Sequence, residues 1–208
     1  MFDAIARQIA GAIHLARVVR ALELANRQLQ QLSMSDGLTG IANRRCFDLR
    51  LAEEWARHRT ERRPLALLLI DVDCFKPLND ARGHLYGDEC LRALARLCLE
   101  TCDQGDELVA RYGGEELALL LPRRDLRAAR RFAERLRQRV ELEAMPNPGS
   151  PVAPFLTISI GVSVTHPRAI PSAQALIAAA DRALYAAKAS GRNCVVARGA
   201  PLGARTPR

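Results

Sequence analysis

The chain has 208 residues and a formal charge of +8, with 31 lysines and arginines against 23 acidic residues. That length supports one sizeable core with an appended element. The longest unbroken aliphatic run, Leu65 to Ile70, is far too short to span a bilayer. The arginines are scattered and aromatics make up only 4% of the chain, so no interleaved stacking surface for nucleic acid is expected. The N-terminus alternates polar and apolar residues without a signal-peptide core. A cytoplasmic chain, with neither membrane nor nucleic acid as partner, is the expectation. The six cysteines include no C-x-x-C pair and have no histidine cluster beside them. They read as reduced thiols in or near a core.

Met1 to Leu32 predicts one long helix. Leu15, Val18, Leu22, Ala25, Leu29 and Leu32 step by three and four, a heptad seam of nearly three repeats. The seam predicts a parallel dimer stalk; packing of the helix on its own domain is the competing reading. Ser33 to Asn43 breaks that helix with Asp36-Gly37-Leu38-Thr39-Gly40. A second helix is predicted from Arg44 to about Arg59. The polar turn Glu61-Arg62-Arg63-Pro64 introduces a strand, Leu65 to Val72, apolar almost throughout. Such a strand is buried on both faces and central in its sheet.

That strand runs into Asp71-Val72-Asp73-Cys74-Phe75-Lys76. Alternation along a strand points Asp71 and Asp73 the same way, at the edge where open sheets place ligands. Two acids capping the next helix is the alternative. Asn79, Gly83, His84, Gly87 and Asp88 are predicted in a loop between a short helix and a longer one, Glu89 to Cys102. Asp88 reads either as the N-cap of the longer helix or, with Asn79, as a reader of a purine edge. An aspartate that accepts from N1–H and the 2-amino group selects guanine over adenine.

Arg111-Tyr112-Gly113-Gly114-Glu115-Glu116-Leu117 lies between two apolar runs and predicts a tight hairpin, since glycine takes φ > 0 without steric cost. Two carboxylates at a bare turn suit a hard divalent cation; a surface hairpin with solvated acids is the competing reading. A helix follows from about Leu126 to Leu142, then an irregular loop, a strand from Phe155 to Val164, and an alanine-rich helix from Ser172 to Ala189. Lys188 and Arg192 flank the stop at Gly191. They read equally as polyphosphate ligands or as cations at a helix C-terminus. Lys76 and Lys188 are the only lysines, which suggests that a compact ammonium is wanted at each. Cys194 to Ala197 is a last strand, and residues 199–208 read as a disordered tail. The predicted fold is α/β (α+β): a mixed central sheet with flanking helices, ferredoxin-like or polymerase-palm-like, behind a long N-terminal helix.

From Asp36 to about Ala197 the sequence resembles the GGDEF family of diguanylate cyclases. The match is carried by Asp36-Gly37-Leu38-Thr39-Gly40 with Asn43-Arg44-Arg45, then Asp71-Val72-Asp73 with Phe75-Lys76, and Asn79-Asp80 with Gly83-His84 and Gly87-Asp88. The signature turn Gly113-Gly114-Glu115-Glu116-Leu117 follows, and Ala183-Leu184-Tyr185 with Ala187-Lys188 and Gly191-Arg192-Asn193 complete it. The resemblance implies a nucleotidyl cyclase fold and a cytoplasmic bacterial signalling enzyme. Such an enzyme joins two GTP molecules into cyclic di-GMP as a dimer, with Mg²⁺ or Mn²⁺. Asp71, Glu115 and the Val72 carbonyl would hold the metal. Phe75, Asn79, His84, Asp88, Gly113 and Gly114 would contact the nucleotide, and Lys188 and Arg192 its β- and γ-phosphates. Lys76 would stabilise charge on the reacting phosphoryl group. Either Glu115 or Glu116 would take the proton of the attacking 3′-hydroxyl.

The predicted division is a signalling helix over 1–34, the cyclase domain over 35–198 and the tail. The first part of the helix resembles the end of a GAF sensory domain, which implies an upstream sensor. A silent GTP-binding module is the alternative function. Two departures stand out. Leu117 replaces the family's phenylalanine, and Gln104-Gly105-Asp106-Glu107 lacks the arginine of the family's inhibitory product site, which predicts weak or no product inhibition there.

Overall fold

The computed structural model describes residues 17, 19, 20, 34–102, 105–165 and 172–199. The chain divides into two compact units, Met1–Met34 and Ser35–Arg208. In the first unit, residues 17, 19 and 20 are helical; every residue of the predicted heptad seam lies outside the described residues, as do Gln104 and the tail from 200 onward. The second unit runs α1 (Arg44–Glu61), β1 (Leu65–Val72), α2 (Phe75–Arg82), α3 (His84–Thr101), β2 (Leu108–Arg111), β3 (Glu116–Pro122), α4 (Leu126–Leu142), β4 (Ile158–Thr165), α5 (Ala173–Ala189) and β5 (Val195–Gly199). No helix among the described residues is long and apolar enough to cross a membrane.

The five strands lie in the order β2-β3-β1-β4-β5. β1 is antiparallel to β3 and β4, and β5 is parallel to β4. Every residue of β1 is buried, which is why its sequence lacks polar alternation until Asp71. Ala66, Leu68, Ile70 and Val72 pack with Leu91 and Leu94 of α3 and Phe132 and Leu136 of α4. Leu65, Leu67 and Leu69 face the opposite layer, with Phe47 and Leu51 of α1 and Leu176 and Leu184 of α5. The mixed sheet with helices on both faces is the architecture expected from the sequence.

Local chemistry starts the helices. The Asn43 side chain accepts from the Cys46 amide at 3.0 Å, Asp125 from Ala128 at 2.7 Å and Ser172 from Ala175 at 3.3 Å. Each satisfies one of the amides that a helix N-terminus leaves without a partner. The alanine-rich α5 sits close on the sheet because β4 carries Gly161. A Cβ there would stand 2.2 Å from the Ala180 carbonyl oxygen and 2.2 Å from the Leu184 nitrogen.

Four expectations are corrected. The loop over 83–88 does not exist: α3 begins at His84 and meets α2 across Gly83 alone, whose φ is +84°. His84, Gly87 and Asp88 are therefore helical, and Asp88 is not an N-cap. The strand expected from Phe155 starts at Ile158, because Phe155 makes an isolated bridge to Pro146 instead. Gly199 closes β5 and does not open the tail. Finally, neither Gly113 nor Gly114 is left-handed. A Cβ on Gly113 would meet only the Glu116 side chain, its carboxylate oxygen at 2.8 Å.

Candidate functional site

The hairpin between β2 and β3 is closed by the Tyr112 and Gly113 amides, which donate to the Glu116 carbonyl at 2.8 and 3.2 Å. Its shape is held from outside. The Arg111 guanidinium donates to the Gly114 carbonyl at 2.8 and 3.0 Å, and also pairs with Asp36 at 3.2 Å. Asp36 in turn accepts from the Thr39 amide at 2.9 Å and the Thr39 hydroxyl at 2.6 Å. Burial would raise the Asp36 carboxyl, but the Thr39 hydrogen bonds and Arg111 outweigh it and hold the group below the ordinary carboxylate value. The turn Asp36 to Gly40 thus buttresses the hairpin. Sequence reasoning assigns neither Arg111 nor Asp36 to the site. Their pairing spans 75 positions of sequence, which no local pattern reveals.

Asp71 is opposite Glu116 in the β1–β3 register. The two Cα positions are cross-strand partners, so both side chains leave the same face. Asp71 is 7% exposed. Burial pushes its carboxyl above the ordinary range, the Lys188 ammonium at 2.7 Å pulls it back, and Glu115 and Glu116 push it up again. Three acidic groups therefore share the end of the central strand, and Lys188 of α5 brings a counter-charge to them. A cation already seeks this carboxylate in the free chain. Among the described residues, no group of three or more His, Cys, Asp or Glu side chains forms a ready-made metal cage. Carboxylate oxygens such as those of Asp71 and Glu115 are hard donors of the kind magnesium takes, the ion binding through one or two carboxylates and completing its shell with phosphate oxygens and water. The donor set fits the ion on that basis.

The α2–α3 junction places a second group of residues. Asn79 lies on α2, and its Oδ1 is buried with no hydrogen-bond partner. A Cβ on Gly87 would stand 2.0 Å from that oxygen and 3.1 Å from the Phe75 ring. Glycine at 87 therefore leaves the Asn79 acceptor open, with Asp88 beside it on α3. An acceptor left orphaned in a buried place is costly unless something arrives to use it. Phe75 packs on the core, so it fixes α2 as well as bordering this junction.

Lys76, His84 and Arg192 are exposed. No hydrogen bond or ion pair among the described residues engages the Lys76 or Arg192 side chains, which leaves both cations available to an anion. Val72 ends β1 beside Asp71, its side chain buried in the opposite layer. Asp73, which strand alternation pairs with Asp71, is instead a structural tie. It is 1% exposed and accepts from Thr157 at 2.8 Å and Ser159 at 2.6 Å. Leu117 is fully buried on the α3/α4 side of the sheet, away from the face that carries the carboxylates. A cavity of about 610 Å³, lined by Arg44, Asp48, Tyr112 and Asp181, lies elsewhere, between α1 and α5; it does not contain the carboxylate cluster.

Comparison with known proteins gives a consistent set. The family model described as "Diguanylate cyclase, GGDEF domain" matches residues 33–194. The diguanylate cyclase DgcM of Escherichia coli is 42% identical over 170 residues, which are 82% of this chain and 40% of that protein. The response regulator PleD of Caulobacter vibrioides is 41% identical over 177 residues, covering 82% of this chain and 37% of its own length. The chain thus spans about 40% of these relatives. Among solved structures, the GGDEF domain of DgcB from Caulobacter crescentus, in complex with c-di-GMP, superposes with a TM-score of 0.72 at 32% identity, covering 79% of this chain and 95% of that one.

Proposed function

The chain belongs to the GGDEF family of diguanylate cyclases, and from that premise we propose that it condenses two GTP molecules into cyclic di-GMP, releasing two pyrophosphates. The observation that carries the reading is the meeting of Asp71 with Glu116 and its neighbour Glu115 at the end of β1, with Lys188 at 2.7 Å.

In the proposed reaction, the 3′-hydroxyl oxygen of one GTP attacks the α-phosphorus of the other. The P–O bond to pyrophosphate breaks, and the hydroxyl proton passes to Glu115 or Glu116. A second, reciprocal attack closes the ring. Asp71 and Glu115, with the Val72 carbonyl, would hold Mg²⁺, or Mn²⁺ in its place. The ion supplies charge neutralisation on the triphosphate and lowers the pKa of the attacking alcohol. Lys188, which pairs with Asp71 at 2.7 Å in the free chain, would meet the β- and γ-phosphates together with Arg192. Lys76 would face the reacting phosphoryl group. Gly113 and Gly114 would let the backbone lie along the nucleotide, with His84 near it. The open Oδ1 of Asn79 and the carboxylate of Asp88 support guanine, which offers donors at N1 and the 2-amino group.

One chain presents one such hairpin and would hold one GTP, so two chains must face each other. The heptad seam upstream is the proposed means of pairing, by raising local concentration, and an upstream sensory domain is its proposed control. A GTP substrate and six free thiols suit the cytoplasm.

The test is incubation of the full chain with GTP and Mg²⁺, followed by chromatography. Cyclic di-GMP from the wild type, reduced about a thousand-fold in Asp71→Ala and Glu115→Ala, supports the reading. GTP binding without product, at concentrations where the chain is dimeric, would replace it with a silent nucleotide-binding module.

A further inference from the structure

Asp73 is more deeply buried than Asp71, yet the proposed chemistry does not use it. Both oxygens of its carboxylate are engaged. Oδ1 accepts from the Ser159 hydroxyl at 2.6 Å, and Oδ2 accepts from the Thr157 hydroxyl at 2.8 Å and from the Asn193 amide at 2.9 Å. The first two contacts tie the residue after β1 to Ser159 of β4 and to Thr157 just before it. The third reaches the turn between α5 and β5.

That turn is unusual. Gly191, Arg192 and Asn193 have φ values of +108°, +66° and +44°, three consecutive residues in left-handed conformations. Glycine adopts this freely and asparagine tolerates it, but arginine does so only where its surroundings impose it. The imposing contacts are visible. The Arg192 amide donates to the Ala187 carbonyl at 3.2 Å. The Asn193 side chain is gripped from α4: Oδ1 accepts from Arg137 at 2.8 Å, and Nδ2 donates to Glu141 at 3.2 Å. Arg137 is itself fixed by Glu134 and Glu141, both at 2.8 Å. Arg192 therefore projects into solvent from a backbone clamped on both sides of the chain.

We infer that Asp73, Asn193 and Arg137 are positioning residues that hold Arg192 in the conformation that meets the β- and γ-phosphates of the nucleotide, in register with Asp71 and Lys188. Asp73 is two residues beyond Asp71 on the same segment, so one carboxylate fixes the distance between the metal-binding end of β1 and the turn that carries the guanidinium. Arg137 secures the far side of that turn from α4, an element that takes no other part in the site. This inference rests on the assignment of Arg192 to polyphosphate.

The test compares affinities for GTP and for GMP, which lacks the β- and γ-phosphates, in the full chain with Mg²⁺. Arg137→Met keeps the aliphatic stem and removes the guanidinium. It should weaken GTP binding about five-fold while leaving GMP binding within about two-fold, with KM for GTP rising and kcat nearly unchanged. Asn193→Gly keeps the left-handed backbone and the amide bond to Asp73 but releases Arg137. It should behave the same way, and it reads the same contact should Arg137→Met not fold. Arg192→Ala is the reference and should lower the GTP-to-GMP preference further. A lowered preference in Arg192→Ala with an unchanged one in Asn193→Gly overturns the positioning role alone. An unchanged preference in Arg192→Ala overturns the phosphate assignment, and the positioning role with it.

Discussion

At the residue scale the site is governed by the Asp71 carboxyl, which burial and its acidic neighbours raise and Lys188 lowers. A carboxylate must lose its proton to bind a cation. Mg²⁺-dependent nucleotide binding should therefore fail, as pH drops, at a higher pH than an ordinary aspartate would impose. Lys188→Met removes the group that pulls the carboxyl down, so the acid limb should move to still higher pH. A titration of analogue binding against pH reads this directly, and an acid limb that moves down in Lys188→Met would contradict it. The sign for the free chain is opposite to the usual acid denaturation. The folded state holds this proton more tightly than the unfolded one, so the Asp71 contribution to stability falls as pH rises through the raised value. Replacement of the family's phenylalanine by Leu117 has a purely apolar consequence, since that side chain is buried away from the carboxylates.

At the element scale, the hairpin is only as rigid as its brace. Asp36→Asn keeps an acceptor for the Thr39 amide but removes the charge that holds Arg111. It should cost about 1 kcal/mol of stability, and turnover should fall by about ten-fold, because misplacing a catalytic carboxylate by a fraction of an ångström is amplified in rate. Melting temperature and turnover measured together check this; full turnover in the variant would show that the brace is dispensable. The sequence disclosed β1, α4 and α5 almost to the residue, because each is a long apolar run or stripe bounded by clear punctuation. It misplaced the start of α3 for a physical reason. Gly87 reads as a loop residue, yet it lies within a helix, and its lack of a side chain serves close packing, since Asn79 occupies the space where a Cβ would be. Strand alternation paired Asp71 with Asp73, which is instead tied to Thr157 and Ser159; the register that sets Asp71 opposite Glu116 is a cross-strand relation that neither local stretch carries. The Asp36–Arg111 brace and the Asp73–Asn193 contact were not legible either, since they join segments 75 and 120 positions apart.

At the scale of the whole molecule, the proposed reaction needs two sites, one from each of two chains. Specific activity should rise with protein concentration through the range where chains pair. Activity per chain independent of concentration, in a sample shown to be monomeric throughout, would refute the two-chain scheme. Product feedback should be weak. Where the family's inhibitory motif would lie, Glu107 is paired with Arg124 at 2.9 Å and Asp106 with Arg57 at 3.6 Å and with Arg123. The acidic loop is thus already neutralised by its own chain. Added cyclic di-GMP should leave the initial rate nearly unchanged; strong inhibition lost in Glu107→Ala would sink this expectation.

The single-residue junction at Gly83 has a consequence for substrate choice. The two side chains proposed to recognise the base, Asn79 and Asp88, ride on different helices that share only that one glycine between them. On that proposal, nucleobase preference would depend on how α2 and α3 are set against each other. A change that bends the α2–α3 elbow would alter which purine is accepted while every recognising atom stays in the sequence.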